Sequence, residues 1–158
     1  MVAPHQAFVY ECWANRRVLN HLRELPSAPE RASQLFAHIL SGIDLWLTRL
    51  RGEDSSSVAI WPSCSLNDCD MMLDAVEAAM STLETSLDSV ALSRQINYTN
   101  QHGLAYVTAI RDILFHMACH GAYHRGQISI VLTQSGLPPI NTDYITFVRE
   151  SAGQRWKP

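Results

Sequence analysis

The chain has 158 residues, of which 47% are hydrophobic and 17% charged, and its net charge at pH 7 is −3. This length and composition predict one globular domain spanning residues 1–158, with enough apolar side chains for a core without disulfide bonds. The slight acidic excess excludes the basic surface that nucleic-acid binding requires. No stretch reaches the roughly 18 apolar residues of a membrane span, and the amino terminus lacks a signal-peptide pattern. We therefore expect a soluble, cytoplasmic protein with no nucleic-acid or membrane partner.

The first half of the chain contains two segments with the apolar repeat of an α-helix. The first runs from about residue 6 to residue 25 and is ended by Pro26. The second starts near Glu30 and ends at Gly52, a glycine in the position that commonly closes a helix. These segments predict the first two helices of a bundle.

A Ser-rich loop follows, and Asn67 or Asp68 is the predicted cap of a third helix that continues to about residue 90. Beyond that helix, apolar and polar residues alternate in 96–98 and again in 104–106. The intervening segment, 100–103, is rich in turn-forming residues. The pattern predicts a short β-hairpin, which needs packing support because an isolated two-stranded ribbon is only marginally stable.

Thr108 is the predicted cap of a fourth helix, which runs to about Ser135 and is stopped by Gly136. The tail from residue 140 onward has enough aromatic and aliphatic residues to dock on the bundle. Long helices with one ribbon and no parallel-strand pattern predict an all-α fold. We expect a four-helix bundle with a small β-hairpin before the last long helix.

Three histidines recur at four-residue intervals in the fourth helix, in the segment HMACHGAYHRGQ: His116, His120 and His124. Residues four apart lie on the same side of a helix, so two adjacent imidazoles can bind one metal ion. All three cannot easily do so, because the outer two lie about 12 Å apart along the helix axis. A mononuclear site would therefore use one adjacent pair and further ligands from elsewhere.

The angular position of each histidine distinguishes the two pairs. Relative to the centre of the apolar face, His124 lies at about 35°, His120 at about 75° and His116 at about 115°. The pair nearer the interior is therefore His120 and His124, with His116 at the flank. Hydrogen-bonded structural histidines are the alternative interpretation. Helical periodicity does not select the third ligand, because His38 in the second helix lies well off the apolar centre of that helix.

Three charged residues near these positions have more than one interpretation. Arg125 either contacts an anionic substrate or forms a surface or interhelical ion pair. Asp44 and Asp143 are candidate acceptors for the N–H groups of ligand imidazoles, and solvated or helix-capping roles are the alternative.

The segments YECWANRRVLNHL, AHILSGIDLWLTRLRG and HMACHGAYHRGQISIVLTQSGLPPINTDYITF together resemble the DinB/YfiT-like family of damage-inducible metalloenzymes. The resemblance extends over nearly the whole chain and is weakest between about residues 53 and 95. Its most specific part is H-x3-H-R-G-Q followed by G-x-P-P and D-Y. It implies a four-helix bundle with a metal ion held by three histidines. Imidazole ligation and availability favour zinc as this divalent ion, and nickel would follow easily from purification. By the family motifs, the metal ligands in this sequence are His38, His120 and His124.

The resemblance also implies a range of functions. The wider superfamily includes thiol-dependent S-transferases and a mycothiol-dependent maleylpyruvate isomerase. Some of these relatives have Glu in place of one histidine, and this chain keeps all three, which makes the isomerase assignment less secure. We expect a metal-dependent enzyme for a small-molecule substrate, which transfers a low-molecular-weight thiol to an electrophile or performs metal-assisted hydrolysis. The alternatives are a non-catalytic metal-binding protein of the stress response and a helical interaction module with incidental histidines.

A homodimer formed through helix faces is the expected assembly. The first and third helices have a broader apolar surface than one packing seam requires, and dimers are frequent in the family that the chain resembles. The residues that provide this breadth are Leu19, Met72, Val76, Met80 and Leu83.

Overall fold

The structure is a computed structural model that describes the backbone of residues 4–154 and the side chains of residues 6–154. Four long helices, two short helices and one two-stranded hairpin make up this part of the chain. In chain order they are α1 (Pro4–Glu24), α2 (Glu30–Leu50), α3 (Leu66–Glu84), α4 (Ser89–Ser93), β1 (Gln95–Thr99), β2 (Ala105–Ala109), α5 (Ile110–Gln134) and α6 (Tyr144–Ser151). The predicted all-α fold with a hairpin before the last long helix is confirmed.

The four long helices surround one apolar core. Helix α2 packs against α5 and α3, and α1 packs against α3 and α5. Burial of each large apolar side chain contributes about 1.5–3 kcal/mol, so the apolar stripes determine which helix faces turn inward. Fully buried members of the core include Leu19, Phe36, Ile39, Leu73 and Ile110. This packing brings the middle of α2 against the middle of α5, where the candidate metal ligands lie.

Two glycines end long helices as the sequence predicts. Gly52 follows the end of α2 with a φ of 75°, and Gly136 follows the end of α5 with a φ of 71°. This left-handed conformation is strained for residues with a Cβ atom and accessible to glycine. The C-terminal boundaries of these two helices are therefore local properties of the sequence.

The N-terminal caps predicted for the third and fourth long helices, α3 and α5, are both wrong. Helix α3 is capped by Ser65, whose hydroxyl accepts a hydrogen bond from the backbone N–H of Asp68, while the Asp68 carboxylate accepts one from the backbone N–H of Ser65. This reciprocal arrangement satisfies two N–H groups at once. Thr108 lies within β2, and α5 begins directly after Ala109 without a side-chain cap.

The third helix is also shorter than predicted. It ends at Glu84, and the separate helix α4 starts at Ser89. The hydroxyl groups of Thr85 and Ser86 donate to backbone carbonyls of the last turn, which competes with continuation of the helix. Asp88 then caps α4 by accepting a hydrogen bond from the backbone N–H of Ala91 at 2.7 Å.

The predicted hairpin is confirmed, and it packs against α2. Strands β1 and β2 pair antiparallel, from Gln95 opposite Ala109 to Thr99 opposite Ala105. The ring of Tyr98 contacts the ring of Trp46 on α2 with a centroid distance of 5.0 Å, and the Arg49 guanidinium lies over both rings. Helix α2 thus provides the packing that a two-stranded ribbon needs.

The tail docks on α1, as expected. Phe147 of α6 is buried beside Tyr10 and Trp13 of α1, and the Tyr10 hydroxyl donates to the backbone carbonyl of Thr142 at 2.9 Å. None of the described helices is long and apolar enough to cross a membrane.

The apolar residues that suggested a dimer interface pack in or against the core of the single chain. Leu19, Val76 and Met80 are at most 4% exposed in the core, and Met72 and Leu83 are partly buried against it. Helices α1 and α3 pack against each other through this surface. The breadth of these faces therefore does not support a dimer, and the homodimer stays a prediction without a located interface.

Candidate metal centre

Helices α2 and α5 bring three histidines together: His38 on α2, and His120 and His124 on α5. The ring centroids are 5.0 Å apart for His38–His120, 4.6 Å for His38–His124 and 4.5 Å for His120–His124. One nitrogen of each ring lies within 4.8 Å of the other two. Nitrogens bound to one tetrahedral zinc ion lie about 3.4 Å apart, so modest ring rotations would bring them to one ion. The group can therefore hold a metal ion.

The histidines of α5 differ in exposure in the order that their angular positions predict. His124 is buried, His120 is half-buried and His116 is exposed. From His124 back to His120 and then to His116, each histidine is offset by about a further 40° around the helix and lies further from the core. The inner pair, His120 and His124, therefore faces α2.

His38 is buried by the loop that connects α2 and α3. The indole of Trp61 stacks on the His38 imidazole, with ring centroids 3.8 Å apart and planes at 5°. The Nδ1 atom of His38 donates to the backbone carbonyl of Ile60 at 2.8 Å. These contacts leave His38 only 6% exposed. Because Nδ1 carries the proton in this bond, Nε2 is the nitrogen that can bind a metal ion.

His124 has an equivalent support from its own helix. Its Nδ1 atom lies 2.9 Å from Oε1 of Gln127, one turn further along α5. A carbonyl oxygen accepts, so this bond also leaves Nε2 free. Asp44 and Asp143 are therefore not the acceptors for His38 and His124, and Asp143 is instead the N-cap residue of α6. The i, i+3 spacing within H-R-G-Q is the sequence signal that points to Gln127.

His120 lies against Gly42 of α2. A Cβ atom at position 42 would come within 3.2 Å of Cε1 and 3.5 Å of Nδ1 of the His120 ring. The missing side chain makes room for the imidazole between the two helices. Gly42 is therefore a residue of the site that sequence analysis did not identify.

Two of the imidazoles are uncharged at neutral pH. Burial lowers the pKa of His120 to about 4, and the nearby histidines, His124, His38 and His116, lower it as well. Burial also lowers the pKa of His38, and the hydrogen bond to Ile60 opposes this shift only in part. A neutral imidazole is the form that binds a metal ion, so no proton has to be removed from either ring at pH 7.

The other histidines lie outside the group. His116 is exposed, and its ring centroid is 5.6 Å from that of His120. His21 lies 2.9 Å from the backbone carbonyl of Pro138 through Nε2, and His102 is in the hairpin turn. The side chain of His5 lies outside the described residues.

Arg125 follows His124 directly but points to the other side of α5. Its guanidinium binds the Glu11 carboxylate through two hydrogen bonds of 2.7 and 2.9 Å, and it also donates to Asn15 and to the Tyr10 hydroxyl. The side chains of Arg125 and Glu11 are 0% and 2% exposed. Of the two predicted roles for Arg125, the interhelical ion pair is correct and the substrate contact is wrong.

Gly121, which follows His120, makes room for this ion pair. A Cβ atom at position 121 would overlap the Glu11 carboxylate and lie 2.7 Å from Nη1 of Arg125. Sequence analysis did not identify Glu11, although an acidic residue beside an apolar helical stripe was a possible signal. His120 and His124 of α5 thus face the three-histidine group, and the residues that follow them, Gly121 and Arg125, face the ion pair.

Comparisons with known proteins agree with this description. The sequence model of the DinB family matches residues 1–156. The chain is 25% identical to Protein DinB of Bacillus subtilis (strain 168) over 154 residues, covering 87% of this chain and 88% of that protein. The crystal structure of a DinB-like protein from Bacillus cereus ATCC 10987 superposes with a TM-score of 0.64 at 17% identity, covering 87% of this chain and 94% of the other. The resemblance inferred from the sequence is thereby confirmed, and the chain belongs to the DinB family.

Proposed function

We propose that the chain is a metal-dependent enzyme in which His38, His120 and His124 bind one divalent ion, zinc or nickel. The observation that carries the proposal is the convergence of three imidazole nitrogens from two helices within 4.8 Å. No thiolate or carboxylate belongs to this group among the described residues. Three protein ligands leave a tetrahedral ion with a position for an exogenous ligand, which is the arrangement of catalytic rather than structural zinc sites.

The chemistry that we propose is transfer of a low-molecular-weight thiol to an electrophile. A divalent ion in this position would lower the pKa of a thiol that binds to it, which favours the thiolate nucleophile at neutral pH. The sulfur then forms a bond to the electrophilic carbon. The leaving group departs with the electron pair of the broken bond, and the thiol proton passes to solvent.

The surroundings of the three histidines suit a small-molecule substrate. His120 is half-buried, so the group lies just below the surface. Two exposed aromatic residues border the three-histidine group. Trp61 stacks on His38, and the ring of Tyr123 contacts the ring of His124 with a centroid distance of 5.0 Å. Sites for small ligands commonly combine apolar walls with a few polar groups.

Metal content and turnover test the proposal directly. Protein purified without a histidine tag is expected to bind one divalent ion per chain. Turnover of mercaptoethanol with chlorodinitrobenzene is expected to be lost with a chelator and restored by added zinc or nickel. Metal binding without turnover of any thiol or hydrolytic substrate would favour the non-catalytic metal-binding alternative. Absence of metal binding would leave a helical interaction module.

Substitution of the histidines tests which residues bind the ion. His38→Ala, His120→Ala and His124→Ala are each expected to abolish tight binding, measured as metal equivalents after dialysis. His116→Ala is the matched control on the same helix. It should keep one metal equivalent, because His116 lies about 12 Å from His124 along the helix axis. Loss of the full equivalent in folded His116→Ala protein would show that the other pair of α5 holds the ion.

A further inference from the structure

The three-histidine group has no negative charge of its own. Histidine ligands are neutral when they bind a metal ion, and no carboxylate belongs to the group among the described residues. Glu11 lies on the other side of α5, where Arg125 neutralises it. A divalent ion bound here would keep its full charge until ligands from solution compensate it. The site therefore selects anionic ligands.

A further positive charge lies beside the group. Arg31 precedes His38 by seven residues, which places both on the same face of α2 about two turns apart. The Arg31 guanidinium carbon is 5.1 Å from the ring centroid of Trp61, and Trp61 stacks on His38. The guanidinium is therefore separated from His38 by a single aromatic ring.

Arg31 has no acidic partner among the described residues. Its contact with Oε1 of Gln34 is 3.5 Å long. By contrast, Arg16, Arg17 and Arg125 each bind a carboxylate at 3.0 Å or less. The planar fork of an arginine matches the two oxygens of a carboxylate, so Arg31 is available to an oxyanion from solution. One guanidinium balances one negative charge, which favours a carboxylate over a phosphate dianion.

Trp61 connects this guanidinium to the metal group. Trp61 is 52% exposed although its ring is in contact with both His38 and Arg31. A short carbon chain that runs from the metal position to Arg31 would cover this exposed ring. The separation of about two helical turns limits such a ligand to a compact molecule.

We propose that the thiol substrate carries a carboxylate, which binds Arg31 while the thiolate binds the metal ion and the intervening carbon atoms pack on Trp61. This inference rests on the proposed function and adds a substrate class to it. Arg31 and Trp61 are then specificity-determining residues, and the histidines supply the metal ligands.

Binding of matched thiols to the cobalt(II)-loaded protein tests the inference without turnover. Mercaptopropionate is the anionic probe, mercaptopropionamide is its neutral counterpart, and cysteamine is a cationic thiol. The thiolate-to-cobalt absorption band reports binding of each. Mercaptopropionate is expected to bind about tenfold more tightly than the amide, equivalent to ~1.4 kcal/mol, and cysteamine more weakly still.

Two arginine variants locate the origin of this preference. Arg31→Gln should abolish it, so that the acid and the amide bind equally. Arg51→Gln is the matched control, since Arg51 is also exposed and lies about 20 Å further along the axis of α2 from His38. The control is expected to keep the tenfold preference. Trp61→Leu should weaken the acid and the amide alike.

The two proposals fail in different ways. Equal binding of the acid and the amide by the unsubstituted protein, or a preference that Arg31→Gln leaves unchanged, would overturn the carboxylate inference alone. Absence of the absorption band with every thiol would overturn the proposed thiol chemistry and this inference with it.

Discussion

Helix α5 carries two polar clusters on different faces, built from neighbouring residues. Towards α2, His120 and His124 meet His38 at centroid distances of 4.5–5.0 Å. Towards α1, Arg125 binds the carboxylate of Glu11. In the first cluster, Nδ1 of His38 and Nδ1 of His124 make hydrogen bonds, which leaves Nε2 of both rings available to a ligand. The second consists of opposite charges that compensate each other.

The two clusters are therefore suited to different roles. The histidines can bind a ligand, whereas the ion pair affects how α1 docks on α5. A buried ion pair loses hydration energy that its Coulomb attraction barely recovers, so its net contribution to stability is small. Within the described residues, Nε of Arg125 and Nδ2 of Asn15 also lack a hydrogen-bond partner. The pair nevertheless opposes other dockings of α1 on α5, because a shift would leave a buried charge uncompensated. His38 and His120 avoid the ionic cost, because burial lowers the pKa of both rings.

The largest expected effect comes from breaking the ion pair. Glu11→Leu is expected to lower the free energy of unfolding by about 3–5 kcal/mol, because the guanidinium of Arg125 stays buried without a counter-charge. Denaturant unfolding followed by circular dichroism measures this loss. The double variant Glu11→Leu/Arg125→Met is expected to recover most of it. A double variant as unstable as the single one would show that the unpaired charge is not the cause.

A smaller effect is expected at the three-histidine group of α2 and α5. Gln127→Met removes the acceptor for Nδ1 of His124 and is expected to weaken metal binding by about 10–100-fold. Competition with a chelator of known affinity measures the change. Gln134→Met, an exposed position on the last turn of α5, is the matched control and should bind metal normally. Equal affinities of the two variants would mean that the hydrogen bond from Gln127 does not support His124.

The smallest expected effects distinguish two glycines of α5. Gly121→Ala is expected to lower the free energy of unfolding by about 1–2 kcal/mol, because its methyl group meets the Glu11–Arg125 pair. The methyl group of Gly126→Ala would lie in open space. This substitution is expected to raise the free energy of unfolding by about 0.5–1 kcal/mol through higher helix propensity. Thermal and denaturant unfolding of both variants gives the signs. Stabilisation by both substitutions would mean that the ion pair relaxes without loss.

The sequence predicted the part of the site that one helix determines. The angular spacing of His120 and His124 follows from helical geometry alone, and the structure shows the expected order of exposure. His38 is different, because Trp61 and Ile60 of an irregular loop bury it. Periodicity contains no information about how such a loop folds back, so only family resemblance identified His38.

The same distinction applies to the boundaries of the fold. Gly52 and Gly136 end helices through their own backbone freedom, which a single residue reveals. The start of α3 depends on a reciprocal pair, Ser65 and Asp68, in which aspartate takes the place of the more familiar glutamate. The position of Glu11 beside the apolar stripe of α1 was a signal for a buried acid, but its pairing with Arg125 was not visible, because only tertiary packing brings the two together.

The contacts that hold α1 have a consequence for biosynthesis. Besides α3, α1 has polar partners near the far end of the chain. Glu11 and Arg125 are 114 residues apart, Tyr10 and Thr142 are 132 residues apart, and Arg17 and Glu150 are 133 residues apart. At about 5–20 residues per second, roughly 6–23 s pass between the synthesis of Glu11 and that of Arg125. During this time the apolar surface of α1 has no native cover from α5 or α6. The carboxylate of Glu11, which is costly in the folded interior, is a charged and hydrated group on this surface until Arg125 reaches it.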